Sequence, residues 1–156
     1  MTRVACLGLL LAPFLLAGCG DVLGKPKLRP PAKTLSHAQL VRRGNRACAR
    51  ALRRLPKVKP GESFETLSRE LKTVVHVDER LLFVLRGLPP SPADAVAYRR
   101  LLAAFNYYDL VANHFVGAFE AGQVRKLKTL GRRLDSIGKT LNKRARKLGL
   151  TTCAEG

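Results

Sequence analysis

The sequence predicts an all-α fold, an antiparallel up-down-up-down four-helix bundle that follows a signal peptide and a flexible tether. Apolar residues recur every three or four positions in the segments 36–55, 63–86, 92–120 and 123–148, which places them on one face of each helix. Prolines or glycines separate these segments. No alternating run rich in β-branched residues occurs, so no strand is expected. Short connections between four helices favour antiparallel neighbours.

The chain opens with an apolar stretch, Val4 to Leu16, preceded by Arg3. It is shorter than the roughly 20 residues that span a bilayer, which predicts a secretion signal rather than a membrane helix. The stretch runs into Leu16-Ala17-Gly18-Cys19, which resembles the lipobox of bacterial lipoproteins. The resemblance implies that a diacylglyceryl group is attached to the Cys19 thiol and that residues 1–18 are removed. The alternative is an ordinary signal peptide with a coincidental cysteine.

Acylation at Cys19 would determine where the protein lies. Two or three fatty-acyl chains of the palmitate type anchor a protein stably, whereas one chain binds reversibly. The lipobox therefore predicts a lipoprotein of the cell envelope, anchored on the extracytoplasmic face of the cell membrane. Residues 19–33 form a tether rich in proline and lysine. The tether either extends and holds the domain 34–156 away from the lipid, or rests its cations on anionic head groups.

The first two predicted helices carry local signals. The helix 36–55 starts at a capping box, in which Ser36 and Gln39 satisfy each other's backbone N–H groups. In the helix 63–86, Asp78 falls in a gap of the apolar stripe. We expect this carboxylate to pair with an arginine rather than to act as a catalytic acid.

The third predicted helix, 92–120, carries an aromatic stripe that is more typical of a core than of a ligand platform. Polar side chains beside this stripe are the candidate pocket residues. They are Asn106, Tyr107, Asp109, Asn113 and His114. They either line a small polar pocket or form a solvated face that makes hydrogen bonds to a neighbouring helix.

The fourth predicted helix, 123–148, has apolar residues at the spacing of a bundle seam. Its other faces carry ten cations, offset only by Asp135. Gly131 and Gly138 lie on one face and cost helix stability, so we expect a close contact with a neighbouring helix there. Gly149 is suited to end the helix.

Two cysteines belong to the predicted domain, Cys48 in the first helix and Cys153 beyond the last. Outside the membrane, a pair of thiols favours a disulfide over a metal site or a catalyst. The bond requires α-carbons within about 7 Å of each other, yet Cys48 lies about 18 Å along its helix. Either the first helix sits low beside the second, or the tail Leu150 to Cys153 folds back.

The chain has a formal net charge of +18. Such a field favours anionic partners, namely phospholipid head groups, phosphate-bearing wall polymers or nucleic acid. Nucleic acid is the least favoured, because the protein is predicted to be exported and because the aromatics that would stack on bases are predicted core. The first and last helices of a bundle are neighbours, so their basic faces are expected to form one surface. The candidate anion-binding residues are Arg42, Arg43, Arg46, Arg50, Arg132, Arg133, Lys139 and Lys143.

Motifs for catalysis or cofactor binding are not found. A di-metal bundle would need a glutamate three residues before His76 and His114, and those positions hold Thr73 and Val111. The sequence contains no phosphate-cradling glycine loop, nucleophile elbow or zinc-protease motif. We therefore expect no catalytic residue, no metal, no cofactor and no enzymatic activity.

The chain as a whole resembles uncharacterised exported lipoproteins of high-GC actinobacteria. The resemblance rests on the lipobox, the basic tether, the first-helix segment Asn45-Arg46-Ala47-Cys48-Ala49-Arg50 and the ending Lys147-Leu148-Gly149-Leu150-Thr151-Thr152-Cys153. It implies a helical fold and pairing of the two cysteines. It brings no activity with it.

Two functional hypotheses follow. The leading one is a lipid-anchored, non-enzymatic envelope protein whose basic helical surface binds anionic lipid or wall polymer, or docks a partner protein. The alternative is a small-molecule binding or sensing bundle that uses the polar and aromatic face of the third helix. The first predicts steeply salt-dependent binding, and the second predicts a cavity lined by third-helix aromatics.

Overall fold

The computed structural model describes residues 33–154. They form four α-helices, α1 (His37–Leu52), α2 (Phe64–Arg86), α3 (Ala95–Glu120) and α4 (Val124–Lys147), followed by a 3-10 turn at Thr151–Ala154. No strand occurs in this part of the chain. The all-α prediction is confirmed. The predicted signal peptide, the acylation site Cys19 and nearly all of the tether lie outside the described residues.

The start of α1 is the capping box that the sequence predicts. The Ser36 side chain accepts a hydrogen bond from the Gln39 backbone N–H, and the Gln39 side chain accepts one from the Ser36 N–H at 3.0 Å. The helix ends at Leu52 rather than at Leu55. Beyond it, Leu55 donates to a carbonyl three residues back, the tighter bonding of a helix end, and Pro56 has no N–H with which to continue.

The third helix also begins later than the sequence predicts. The Ser91 hydroxyl accepts a hydrogen bond from the Asp94 N–H at 3.3 Å and donates one to the Asp94 carboxylate at 2.8 Å. Residues 92–94 therefore form a separate turn, and the helix proper starts at Ala95.

The helices do not pack in the order expected for a simple bundle. α3 contacts both α2 and α4, whereas α1 contacts α2 and the 3-10 turn, and α4 contacts the same turn. The expectation that α1 and α4 pack directly against each other is therefore wrong for these residues. The C-terminal turn packs against both helices instead.

The tail is bound to α1 by a polar clamp and a disulfide. Gly149 adopts a positive φ of 75°, which ends α4 and redirects the chain. The Asn45 side chain donates to the Gly149 carbonyl at 3.1 Å and accepts from the Thr152 N–H at 3.1 Å. Cys48 and Cys153 form a disulfide with α-carbons 5.1 Å apart. The predicted pair is confirmed, and the tail reaches it by folding back along α1.

The core has two clusters of unequal size. The major cluster surrounds the disulfide and contains the most deeply buried side chains of the domain. These are Tyr98, Leu40, Leu85, Leu101, Leu150 and Cys48. The minor cluster has three buried residues, Val75, Ala112 and Val116, and Tyr108 packs against both clusters.

Candidate functional site

The eight candidate anion-binding residues are all exposed on α1 and α4. None of them pairs with a carboxylate within residues 33–154, where the only ion pair of a lysine or arginine joins Lys72 to Glu120. The surface charge of the two helices is therefore not neutralised by the rest of the domain. The 3-10 turn contacts both helices, and no direct contact between α1 and α4 joins their basic faces in the described residues.

One candidate cation makes a contact with an aromatic ring. The Arg133 guanidinium lies over the Tyr107 ring, 5.6 Å from its centroid, which is a cation–π geometry. Tyr107 thus lies at the exposed boundary between α3 and α4. Its ring contacts the Arg133 side chain at the surface and does not face the interior.

The other candidate pocket residues are dispersed around α3. Asn106 accepts a hydrogen bond from Arg86 of α2 at 2.7 Å, and Asn113 donates to the Asp109 carbonyl of its own helix at 3.0 Å. His114 is exposed, and Asp109 is partly buried, with one carboxylate oxygen lacking a hydrogen-bond partner in the described chain. These side chains make separate contacts and do not surround a common cavity.

A cavity of about 170 Å³ lies instead where the four helices and the 3-10 turn meet. α3 contributes Phe105 and Tyr108 to its wall, on the aromatic stripe rather than on the polar face. The disulfide forms another part of the wall. The remaining lining residues are Ala51, Leu52, Leu55, Val74, Val77, Asp78, Leu81, Gly138, Leu141, Asn142 and Thr152. A cavity lined by α3 aromatics is what the small-molecule hypothesis expects, although none of its polar candidates lines the cavity.

Asp78 is the only charged residue in the cavity wall. The arginine pair expected for it is absent, because no cation in residues 33–154 forms a salt bridge with it. Burial and, to a lesser extent, the charge of Asp109 raise the pKa of the Asp78 carboxyl to about 6. Burial also raises the pKa of the adjacent Tyr108 hydroxyl, and the carboxylates of Asp78 and Asp135 add to this effect.

Gly138 opens onto the cavity rather than onto a neighbouring helix. A Cβ built at this position would have no atom within 4 Å outside its own helical surroundings. At Gly131 the nearest atom, in the Phe115 ring, lies 3.8 Å away, which is ordinary van der Waals contact. The close helix contact predicted from these two glycines is therefore wrong.

Sequence reasoning had one signal for this cavity and missed the rest. The position of Asp78 within an apolar stripe marks a carboxylate directed towards the core. Nothing in the sequence indicates Asn142 or Thr152, because Thr152 reaches the wall only through the folded-back tail. Gly138 is visible in the sequence, but a missing side chain is equally consistent with a close contact and with an open space.

Two further features bear on chemistry. No group of three or more His, Cys, Asp or Glu side chains in residues 33–154 is placed to hold a metal ion. None of the helices in the described region combines the length and apolar character needed to cross a bilayer.

Comparison with protein-family models, curated proteins and solved structures finds no match to this chain.

Proposed function

We propose that this protein is a lipid-anchored, non-enzymatic component of the cell envelope whose basic surface binds phosphate groups of anionic lipid or wall polymer. The observation that carries the proposal is the set of exposed cations on α1 and α4 that no carboxylate of the described chain neutralises. Unpaired surface cations attract an anionic surface, and each contributes about 1 kcal/mol when it lies close to the head groups.

The charge distribution supports a surface role more than a docked small anion. The candidate residues lie on the outer faces of two helices and line no shared concave site among the described residues. An extended anionic partner can contact many of them at once, whereas a single phosphate cannot. The proposed acyl anchor at Cys19 would hold this surface near the membrane and raise its effective concentration there.

The test is binding of the fragment 20–156 to vesicles of phosphatidylglycerol mixed with phosphatidylcholine, and to purified anionic wall polymer, across a salt series. Residues 32–156 form a compact unit of their own, so the fragment retains the fold without the lipid. We expect binding to the anionic targets that weakens steeply with salt. Substitution of the four α1 arginines by glutamine should weaken it at least about tenfold. These arginines are Arg42, Arg43, Arg46 and Arg50.

The matched control removes the same charge elsewhere. Glutamine at Lys57, Arg69, Arg80 and Arg99, which are also exposed but lie outside α1 and α4, should weaken binding much less. Equal losses in both variants would show that only net charge matters and would reject a dedicated surface. Binding to neither target at low salt would reject the proposal altogether.

The same measurement distinguishes binding of lipid or wall polymer from docking of a partner protein. If the domain binds neither vesicles nor wall polymer but binds an acidic protein in a salt-dependent manner, the basic surface binds a protein and not an anionic lipid or polymer. The small-molecule alternative does not depend on this surface, and the cavity offers it a different set of residues.

A further inference from the structure

We propose that the cavity between the four helices and the C-terminal turn is a binding site for a small apolar molecule that carries one amine, with Asp78 as its anionic partner. This inference goes beyond the proposed surface function and does not rest on it. It concerns the cavity, where the one charged residue of the described lining is the partly buried Asp78, and not the basic exterior.

The size of the cavity supports a ligand. Protein interiors are close-packed, and voids larger than a water molecule are few. A cavity of about 150 Å³ in another protein is large enough to hold benzene, and this one measures about 170 Å³. Its wall is mostly aliphatic and aromatic, with Leu81, Phe105 and Leu141 among its members. A body the size of a single ring fits both the volume and the lining.

The chemistry of the wall indicates the charge of the ligand. A carboxylate removed from water costs free energy unless a cation or a set of donors satisfies it. Asp78 has no such cation, although the domain is rich in exposed lysines and arginines. A protonated amine inside the cavity would provide this partner. An anionic ligand would meet the Asp78 carboxylate and be repelled.

The cavity borders a depression of the surface beside α4. A shallow depression lined by Leu134, Asp135 and Lys139 shares Tyr108, Gly138 and Asn142 with the cavity. Asp135 is exposed there, so one carboxylate lies at the surface and a second lies within. Gly138 lines both spaces, and a Cβ at this position would meet no atom within 4 Å, so a ligand could enter at this point.

The test compares three probes of similar size and different charge, namely benzylamine, benzyl alcohol and benzoate. Binding of each to the fragment 20–156 is followed by calorimetry and by amide chemical shifts in two-dimensional NMR spectra. We expect benzylamine to bind about tenfold more tightly than benzyl alcohol, since a hydrogen bond to a charged partner is stronger than a neutral one. Benzoate should bind least, and the shifted amides should cluster around Asp78, Phe105 and Leu141.

Two variants separate the cavity from the surface. Asp78→Asn should remove the preference for benzylamine over benzyl alcohol while leaving benzyl alcohol affinity within about twofold. Gly138→Leu should place a side chain in the open space and abolish binding of both. Its control is Gly117→Leu, on the exposed face of α3, where a Cβ also meets no atom within 4 Å. This control has the same gain in helix propensity and should bind like the parent.

Several results would overturn the inference. Benzoate binding as tight as benzylamine binding would show that the basic exterior, and not Asp78, selects the ligand. Retention of benzylamine binding in Gly138→Leu would place the probe elsewhere. Absence of shifts near the cavity at millimolar concentrations of all three probes would show that the space does not admit such molecules. None of these results would affect vesicle binding by the exterior, so the two proposals fail independently.

Discussion

The two halves of this domain differ in how deeply the apolar side chains of their helices are buried. In the half around the disulfide, which we call the closed half, the side chains of Leu40, Leu85 and Tyr98 are at most 1 % exposed. In the other, the open half, Leu71 packs against the minor cluster but remains only partly buried. One sequence pattern of apolar stripes thus produces a dense core in one half and a sparse one in the other.

The difference arises from the length of α1 and the path of the tail. α1 has 16 residues, compared with 23 in α2 and 26 in α3, so it covers only part of their length. The folded-back tail adds Leu150 to the same half, where its side chain occupies the space beside Gly44. The cavity lies at the boundary, because its wall contains both the disulfide and Tyr108. Beyond this point α1 and the tail no longer cover the longer helices. The Asp78 carboxylate, at the cavity wall, has no cationic partner within residues 33–154.

Removal of the disulfide is expected to have the largest effect, and it acts on the closed half. The bond links residues separated by 105 positions, and closure of a loop this long stabilises by about 5 kcal/mol in the chain-entropy description. The double substitution of Cys48 and Cys153 by alanine should lower the free energy of unfolding by about this amount. Urea unfolding, monitored by circular dichroism, measures it.

Hydrogen exchange then locates the loss. Amides of the tail and of α1 should exchange faster than those of α2 and α3 in the variant, because the disulfide holds the former two together. A variant that unfolds within about 1 kcal/mol of the parent, with unchanged exchange in the tail, would show that the Asn45 clamp and Leu150 suffice to close this half.

Substitution of Asp78, at the boundary, is expected to change the free energy of unfolding less and in the opposite direction, by stabilising the fold. Its pKa rises on folding from the ordinary 3.8 to about 6, so the folded state binds this proton more tightly than the unfolded state. Stability from this group is therefore present below about pH 4 and is lost as the pH rises through 6. Asp78→Asn should raise the free energy of unfolding by about 3 kcal/mol at pH 7 and change it little at pH 4.

Asp94→Asn is the matched control for this pH dependence. Hydrogen bonds from Ser91 and His37 lower the pKa of the Asp94 carboxyl, so its stabilising effect is present at neutral pH and is lost on acidification. The variant should therefore be less stable than the parent at pH 7, opposite to Asp78→Asn. An Asp78→Asn protein that is destabilised at pH 7 would mean that the charge has a partner in solution.

The closed half could be predicted from the sequence more fully than the boundary. The Ser36–Gln39 capping box and the stripes that bury Leu85 and Tyr98 are local patterns, and local patterns determine which face of a helix is apolar. The cysteine pair was predictable because few alternatives exist for two thiols in a domain that the sequence predicts to be exported. The sequence left two routes to this disulfide open, and the choice of the folded-back tail was not predictable, because it depends on relative helix lengths.

The cavity could not be predicted for a related reason. Whether Asp78 meets an arginine depends on which side chains of other helices reach it, and sequence spacing within α2 carries no such information. The same holds for Gly138, since a missing Cβ allows either contact or space. The polar residues on α3 predicted a pocket, but none of them lines the cavity. The neighbouring positions Phe105 and Tyr108 line it instead.

The smallest expected effect compares two tyrosines, one in the closed half and one at the boundary. In the closed half, the Tyr98 hydroxyl donates a hydrogen bond to the Leu85 carbonyl at 2.8 Å, and the side chain is buried. The Tyr108 hydroxyl makes no hydrogen bond to another group in residues 33–154 and lies at the cavity wall. Tyr98→Phe should therefore cost about 1 kcal/mol of unfolding free energy, whereas Tyr108→Phe should change it by less than about 0.5 kcal/mol.

Tyr98→Phe leaves the acceptor satisfied, which is why the expected loss is moderate. The Leu85 carbonyl also accepts a hydrogen bond from the Leu88 N–H at 3.0 Å, so no buried acceptor is left without a partner. Each variant lacks one oxygen atom relative to the parent protein, and parallel urea titrations compare their free energies of unfolding directly. Equal losses would mean that the Tyr108 hydroxyl is held by a group inside the cavity, such as a bound water or ligand, and the boundary would then be more ordered than its protein contacts alone indicate.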